Sequence, residues 1–344
     1  MSNLKKQFFV FDYYFHKGKA RILTKLWEVF SRFQNIDGIA FFNEVRNFHF
    51  SGKIIFGFWN PKIIHLGDQL FYQPIIDFLN KKFEVIVLTY PAMKDYFATL
   101  GYKTFGIDEF EREVKGAIFI SNEDLLWEMR KNFGKENIFL GINYASPPTP
   151  KRVMELIFEV VIKFLQRNNL LEKPINLKKE DLCPRVSPLL LAKYENDPNL
   201  DIFLKNPDKK FLLFNNYVFS NFKGVNKERK KRLESLAKEK KEEGYLICHI
   251  GSKKDKLMDK NFYSFVDYDL RGKINPLCLF KIFSLRNVYG IVSFDTFVIH
   301  TASILKKDLY IVIKGRSSYK KEEKIKKVFV PMASCFENLV KCIF

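Results

Sequence analysis

Long apolar runs are missing from this sequence. No window of about 18 uncharged apolar residues occurs in its 344 positions, so no membrane-spanning helix is expected. Cysteine is sparse: Cys183, Cys248, Cys278, Cys335 and Cys342 are scattered, odd in number and without a CxxC pair. That pattern suggests neither a zinc site nor a disulfide framework, and it reads as buried thiols of a reducing compartment. Met1 to Phe15 lack a sustained apolar core and a small-residue cleavage site, so no secretory leader is expected and the chain reads as cytoplasmic. Internal repeats and low-complexity segments are absent too.

Acid is in deficit. Asp+Glu number 39 against 58 Lys+Arg, a formal charge of +19 that favours anionic partners: phosphorylated substrates, acidic headgroups or nucleic acid. Hydrophobic residues make up 47% of the chain, which excludes wholesale disorder and fills two cores of about 150 residues each. The 37 Phe, beside abundant Lys, Ile and Asn, follow a bias toward AT-rich codons, so an aromatic alone does not mark a binding site.

Residues 1–52 form a basic, aromatic extension before the first clear strand. Within it Ala20 to Phe33 place Ile22, Leu23, Leu26, Val29 and Phe30 at helical spacing, with Arg21, Lys25 and Arg32 off that face. Such a helix either packs on the body of the protein or rests, through Trp27 and Phe30, on an anionic leaflet. Strands and helices then alternate. Strands are expected at Lys53 to Phe58, Phe83 to Thr89, Ala117 to Ser121 and Ile138 to Ile142. Helices are expected at Asp68 to Lys81, Met93 to Leu100, Leu125 to Asn132 and Arg152 to Gln166. Residues 53–167 thus read as one domain and the polar, proline-bearing stretch 168–210 as a connection. Residues 211–344 carry a second alternating unit. Its strands are at Phe211 to Asn215, Tyr245 to Ile250, Tyr289 to Phe294 and Leu309 to Ile313, and its helices at Lys227 to Glu242, Leu277 to Leu285 and Thr296 to Leu305. This is an α/β chain with two parallel sheets, and ligands of such sheets bind beyond the carboxyl ends of the strands.

Two segments there could carry chemistry. In HLGDQLFYQP, His65 to Pro74, Gly67 gives an unhindered turn and Asp68 stands where a loop enters a helix. Its carboxylate either caps that helix or takes a proton from an attacking hydroxyl. In YGIVSFDTFVIHTASIL, Tyr289 to Leu305, an apolar strand runs into Asp295 and Thr296 before a helix begins. The N–H groups of that helix start suit a diphosphate. His300, one turn on, is either a core residue or a donor to phosphate oxygens.

Order and spacing of these segments resemble the heptosyltransferase-like glycosyltransferases of family 9. Gly67, Asp68 and Pro74 match the family's first motif, and Asp295, Thr296, His300 and Ala302 match its D-[ST]-G-x-x-H-x-x-A-A-type segment. Asp269, Leu270, Gly272, Lys273 and Leu277 match an intervening D-L-x-G-K-x-x-L stretch with one extra residue before the Leu. The resemblance covers about residues 53 to 316. It implies a GT-B fold, two Rossmann-like βαβ domains facing across a cleft: an acceptor domain, then a donor domain. Asp68 would be the base of an inverting transfer, with Gly67 and Gln69 in the acceptor loop. Asp295, Thr296 and His300 would hold the donor's diphosphate. Lys223, with Lys227 as competitor, would face the phosphates, and Asp255 the ribose. No metal and no cofactor beyond the nucleotide sugar, ADP-heptose among the candidates, is implied.

One departure stands out. Where the family has Gly after Asp-Thr, this chain has Phe297, which adds bulk where backbone approaches the diphosphate. Three readings follow. The first is a transferase acting on a lipopolysaccharide-type or other anionic glycan acceptor, steered to the inner membrane by its basic surface. The second is a non-catalytic nucleotide- or glycan-binding protein on the same fold. Nucleic-acid binding is the third, but the basic residues of Lys227 to Lys241 alternate with acids as on a solvated helix face, and no nucleic-acid module is present.

Overall fold

β-Branched and aromatic runs of four to six residues, separated by helical segments, set up parallel strands that must be covered on both faces. The computed structural model describes residues 15–16, 18–20, 22–23, 26, 33–37, 39–60, 66–143, 152–172, 178–215, 227–252, 260–294, 296–312 and 340–343. It divides into two compact units, Met1–Pro184 and Arg185–Phe344. The division falls inside the stretch expected to be a connection. That stretch supplies structure to both units: a 3-10 turn (Lys179–Leu182) to the first, and helices α6 (Pro188–Lys193) and α7 (Asp201–Leu204) to the second.

The first unit holds a seven-stranded sheet in the order β1-β2-β7-β6-β3-β4-β5. Its strands are β1 (Phe33–Ile36), β2 (Ala40–Asn43), β3 (Lys53–Gly57), β4 (Glu84–Leu88), β5 (Lys103–Phe105), β6 (Ile118–Asn122) and β7 (Ile138–Ile142). From β5 to β7 all neighbours are parallel, whereas β2 joins β7 antiparallel and β1 joins β2 antiparallel. Residues 33–43 therefore belong to the sheet rather than to an extension before it. The buried Asn43 amide fastens this hairpin, donating to the Asn137 carbonyl at 3.1 Å and accepting from the Phe139 N–H at 2.6 Å.

Helices α1 (Leu66–Leu70), α2 (Gln73–Leu79), α3 (Pro91–Ala98), α4 (Glu123–Phe133) and α5 (Val153–Arg167) cover the sheet. The one helix expected over 68–81 is two. Pro74 has no N–H to give to the Leu70 carbonyl, so the ladder breaks and the chain makes a tight turn, Phe71 N–H to Asp68 carbonyl and Tyr72 N–H to Gln69 carbonyl. Helix α5 is buried on almost every side. On one face of the sheet Ile55, Leu88, Phe119, Leu126, Met129 and Phe139 form a core cluster.

The second unit has a six-stranded, wholly parallel sheet, β10-β9-β8-β11-β12-β13. These are β8 (Lys210–Asn215), β9 (Tyr245–His249), β10 (Tyr268–Asp269), β11 (Val288–Ser293), β12 (Asp308–Val312) and β13 (Val340–Ile343). Helix α8 (Lys227–Glu242), the short α9 (Lys260–Tyr263), α10 (Cys278–Ser284) and α11 (Phe297–Ile304) pack around it. α8 carries charge nearly throughout and touches the sheet through Leu233 and Ala237, both fully buried. Cys248 and Cys278 are buried, and burial pushes the Cys278 thiol up to about 12.

Both sheets have the doubly wound order. Reading from the first strand of each parallel set, the chain adds strands on one side (β4, β5; β9, β10), then crosses to the other (β6, β7; β11, β12, β13). The switch points lie between β3 and β6 and between β8 and β11, where sheets of this kind take their ligands.

Candidate functional site

Asp68 sits in the connection after β3, beside the first switch point. Its half-buried carboxylate accepts from the Asn122 side-chain amide at 3.5 Å, Oδ2 to Nδ2. Asn122 ends β6, the strand across the switch from β3, and in turn accepts from the Tyr72 phenol at 2.5 Å. Tyr72 is fully buried. Burial, then the Asp68 and Asp124 carboxylates, push its phenol well above the usual range, so it stays protonated as a donor.

Three polar side chains of α1 and α2 are matched by partners elsewhere in the unit. Gln69, 1% exposed, accepts from the Thr89 hydroxyl at 2.5 Å just past the end of β4. Gln73 accepts from the Tyr96 hydroxyl of α3 at 2.9 Å, and Asp77 from Tyr102 at 2.5 Å. Polar groups that leave water must find partners, and here three of them do so, on Thr89, Tyr96 and Tyr102. α1 is thereby locked over the strand ends, with Asp68 at its solvent-side edge. Gly67 is buried in the same helix.

In the second unit, β11 runs to Ser293 and α11 starts just after it, with Thr296 as N-cap. The Thr296 hydroxyl lies 3.2 Å from the Ser293 hydroxyl, and its carbonyl takes the Ile299 and His300 N–H groups. The N–H groups ahead of those belong to the helix's open first turn, the positive end of its dipole. His300 is 3% exposed within α11. Phe297 packs its ring edge-on against Phe280 of α10, centroids 5.9 Å apart, as part of the core. The bulk that replaces the family's glycine is thus taken up between two helices. Lys223, Asp255 and Asp295, expected at the donor, lie outside the described residues.

One group here was not foreseen. His249 ends β9, 1% exposed, and among the described residues neither ring nitrogen has a hydrogen-bond partner. Its ring lies between Phe262 (5.6 Å) and Tyr263 (5.5 Å). Burial, and then the charge of Arg271, lower its pKa to about 4. Beside it in register is Asp269, held by a two-pronged bond from Arg271 (2.8 and 2.6 Å) that drops the carboxyl to about 2. Arg271 also covers the Tyr263 ring at 5.0 Å. The D-L-x-G-K stretch is therefore a strand end and turn in which Gly272 adopts φ +66°. The sequence signals for His249, Asn122 and Tyr72 are slight, since none of them stands at a matched position of a motif.

No family model matches the chain, and no curated protein matches it. Solved structures do. The family 9 glycosyl transferase of Veillonella parvula DSM 2008 aligns with a TM-score of 0.55 at 11% identity, over 85% of this chain and 86% of that one. The ADP-heptose LPS heptosyltransferase II of E. coli aligns at 0.51 and 14% identity, over 85% and 89%. Identity that low speaks for architecture, and it agrees with the strand orders found independently in both units. The chain has the GT-B fold, two Rossmann-like α/β units, of the heptosyltransferase-like family 9 glycosyltransferases.

Proposed function

We propose that the chain is an inverting glycosyltransferase that moves a sugar, heptose-like in the reading taken from the family resemblance, from a nucleotide diphosphate to an acceptor hydroxyl. One observation carries this: a carboxylate held by hydrogen bonding at the switch point of the first sheet, on the segment that matches the family's first motif. Asp68 takes the proton from the acceptor hydroxyl as that oxygen attacks the anomeric carbon. The bond from that carbon to the diphosphate oxygen breaks on the opposite face, and the nucleotide diphosphate leaves with the electron pair. In the second unit the open first turn of α11, with Thr296, is the place proposed for the donor's diphosphate; Lys223, Asp295 and His300 join it by resemblance to the family. No step in this scheme calls on a metal.

The acceptor we propose is an anionic cell-surface glycan or glycolipid, in keeping with the net charge of +19. Contact with an inner-membrane surface would run through the start of the chain. There Phe15, Ile22 and Leu26 are helical, with 54%, 61% and 47% of their surface exposed. Sedimentation with anionic vesicles should be lost in an Ile22→Asp/Leu26→Asp variant; equal sedimentation of both proteins removes this contact.

The transfer reading is tested by binding and turnover across a panel of nucleotide sugars, ADP-heptose included, with wild type and Asp68→Ala. Equal donor binding with turnover lost only in the variant supports Asp68 as base. Binding without turnover in both favours the binding-protein reading that Phe297 raised, and no binding at all removes the donor site around Thr296.

A further inference from the structure

We propose that Asn122 and Tyr72 are positioning residues that orient the Asp68 carboxylate, a relay resting on the reading of Asp68 as base. Chemistry fixes the direction of the chain. A carboxylate only accepts, so the Asn122 amide must turn its NH2 toward Asp68 and its oxygen toward Tyr72. The Tyr72 phenol, at 2.5 Å and fully buried, then has to donate. Its proton is retained because burial and two carboxylates oppose its loss. The phenol thus holds the amide, and the amide holds Oδ2 of the base.

A second observation shows what the Asn122 side chain is for. Asn122 is the N-cap of α4, and Asn at that position ordinarily accepts from the helix's own N–H groups. Here its side chain makes no cap bond. The carbonyl oxygen that would cap the helix goes to Tyr72, and the NH2 goes to Asp68. Forfeiting a cap costs helix stability, and here it is forfeited where a buried asparagine reaches the candidate base. The amide-to-carboxylate link is long at 3.5 Å, as catalytic contacts often are before substrate arrives. The placement also spans the switch point, since Asp68 follows β3 and Asn122 ends β6. A hydrogen bond between them ties α1 to the end of β6, beside the switch point.

Tyr72→Phe keeps the ring and removes only the hydroxyl. It is expected to lower kcat about tenfold with donor KM unchanged, and Asn122→Ala to lower it about thirtyfold. Because Tyr72 acts through Asn122, the double variant should equal Asn122→Ala alone; a merely structural role would add the two losses and lower thermal stability instead. In parallel, NMR of the asparagine side-chain amides reads the relay without turnover. The Asn122 amide should resonate at a different position in Asp68→Asn than in wild type, and exchange faster with solvent in Tyr72→Phe. Additive kinetic losses, or an Asn122 amide indifferent to both substitutions, would overturn the relay. Full turnover by Asp68→Asn would instead sink the base assignment, and the amide spectrum would still decide whether the three side chains are linked.

Discussion

The two sheets share one strand order and furnish their carboxyl ends in opposite ways. In the first unit, polar side chains at the strand ends answer one another: Asp68 with Asn122, Asn122 with Tyr72, Gln69 with Thr89. In the second, a helix opens its first turn after β11, and the imidazole of His249 is buried with neither nitrogen bonded among the described residues. A self-satisfied network is what holds a reactive side chain still. Donors left open are what a charged ligand needs on arrival. In the proposed reading, the same scaffold presents a group of its own in one unit and receives a ligand's in the other.

That contrast predicts where substitutions bite. Asp68→Asn should cut transfer by about a thousandfold, the middle of the range for general bases, with donor affinity unchanged. A parallel loss of donor affinity would mean that the first unit also binds the donor. For His249 the expected loss is one of stability, and it depends on pH. Its folded pKa is about 4 against 6.5 for the ordinary side chain, so between those values the unfolded chain holds a proton that the folded one refuses. Stability is therefore full above about pH 6.5 and falls as the pH drops to about 4, by about 3 kcal/mol in all. His249→Leu should remove that slope, as read by denaturant midpoints across this window. An unchanged slope would show that other groups set it.

Gln69→Leu tests the first unit's network at the Thr89 hydroxyl. It strands the Thr89 hydroxyl, and about 2 kcal/mol of stability should go, because an unsatisfied buried group costs its full desolvation. If stability holds while turnover falls, the network serves position more than folding. Smallest is Ser293→Ala, which deletes the contact to Thr296 at the start of α11. Stability should change by under about 1 kcal/mol, and donor dissociation should rise severalfold in calorimetry. Equal affinity would detach this hydroxyl pair from the donor.

Much of the alternation could be read from the residues. Ile138–Ile142 and Lys227–Glu242 occur as expected, because long β-branched or charged periodic runs dominate their own conformation. The β1–β2 hairpin was missed since each strand has four residues and its partner, β7, is about a hundred positions away. Tertiary pairing decided it, not local preference. Pro74 marks the break between α1 and α2, which the single helix expected over 68–81 did not include. Asp68 was legible through its motif. Asn122 and Tyr72 were not, since an asparagine before an acidic helix start reads as a cap and a tyrosine one turn past Asp68 reads as core. Only contact between β3 and β6 reveals their use.

The hairpin fastened by Asn43 also sets a timetable for synthesis. Ala40 pairs with Ile142, and the Asn43 amide waits for Asn137 and Phe139. While the ribosome makes the intervening residues, β1 and β2 have only each other, and a lone two-stranded ribbon is barely stable in water. Closing a loop of that length is slow compared with pairing neighbours. The earliest strands of this sheet are therefore among the last to be anchored, and a nascent chain halted before β7 would leave that ribbon open to any chaperone or protease nearby.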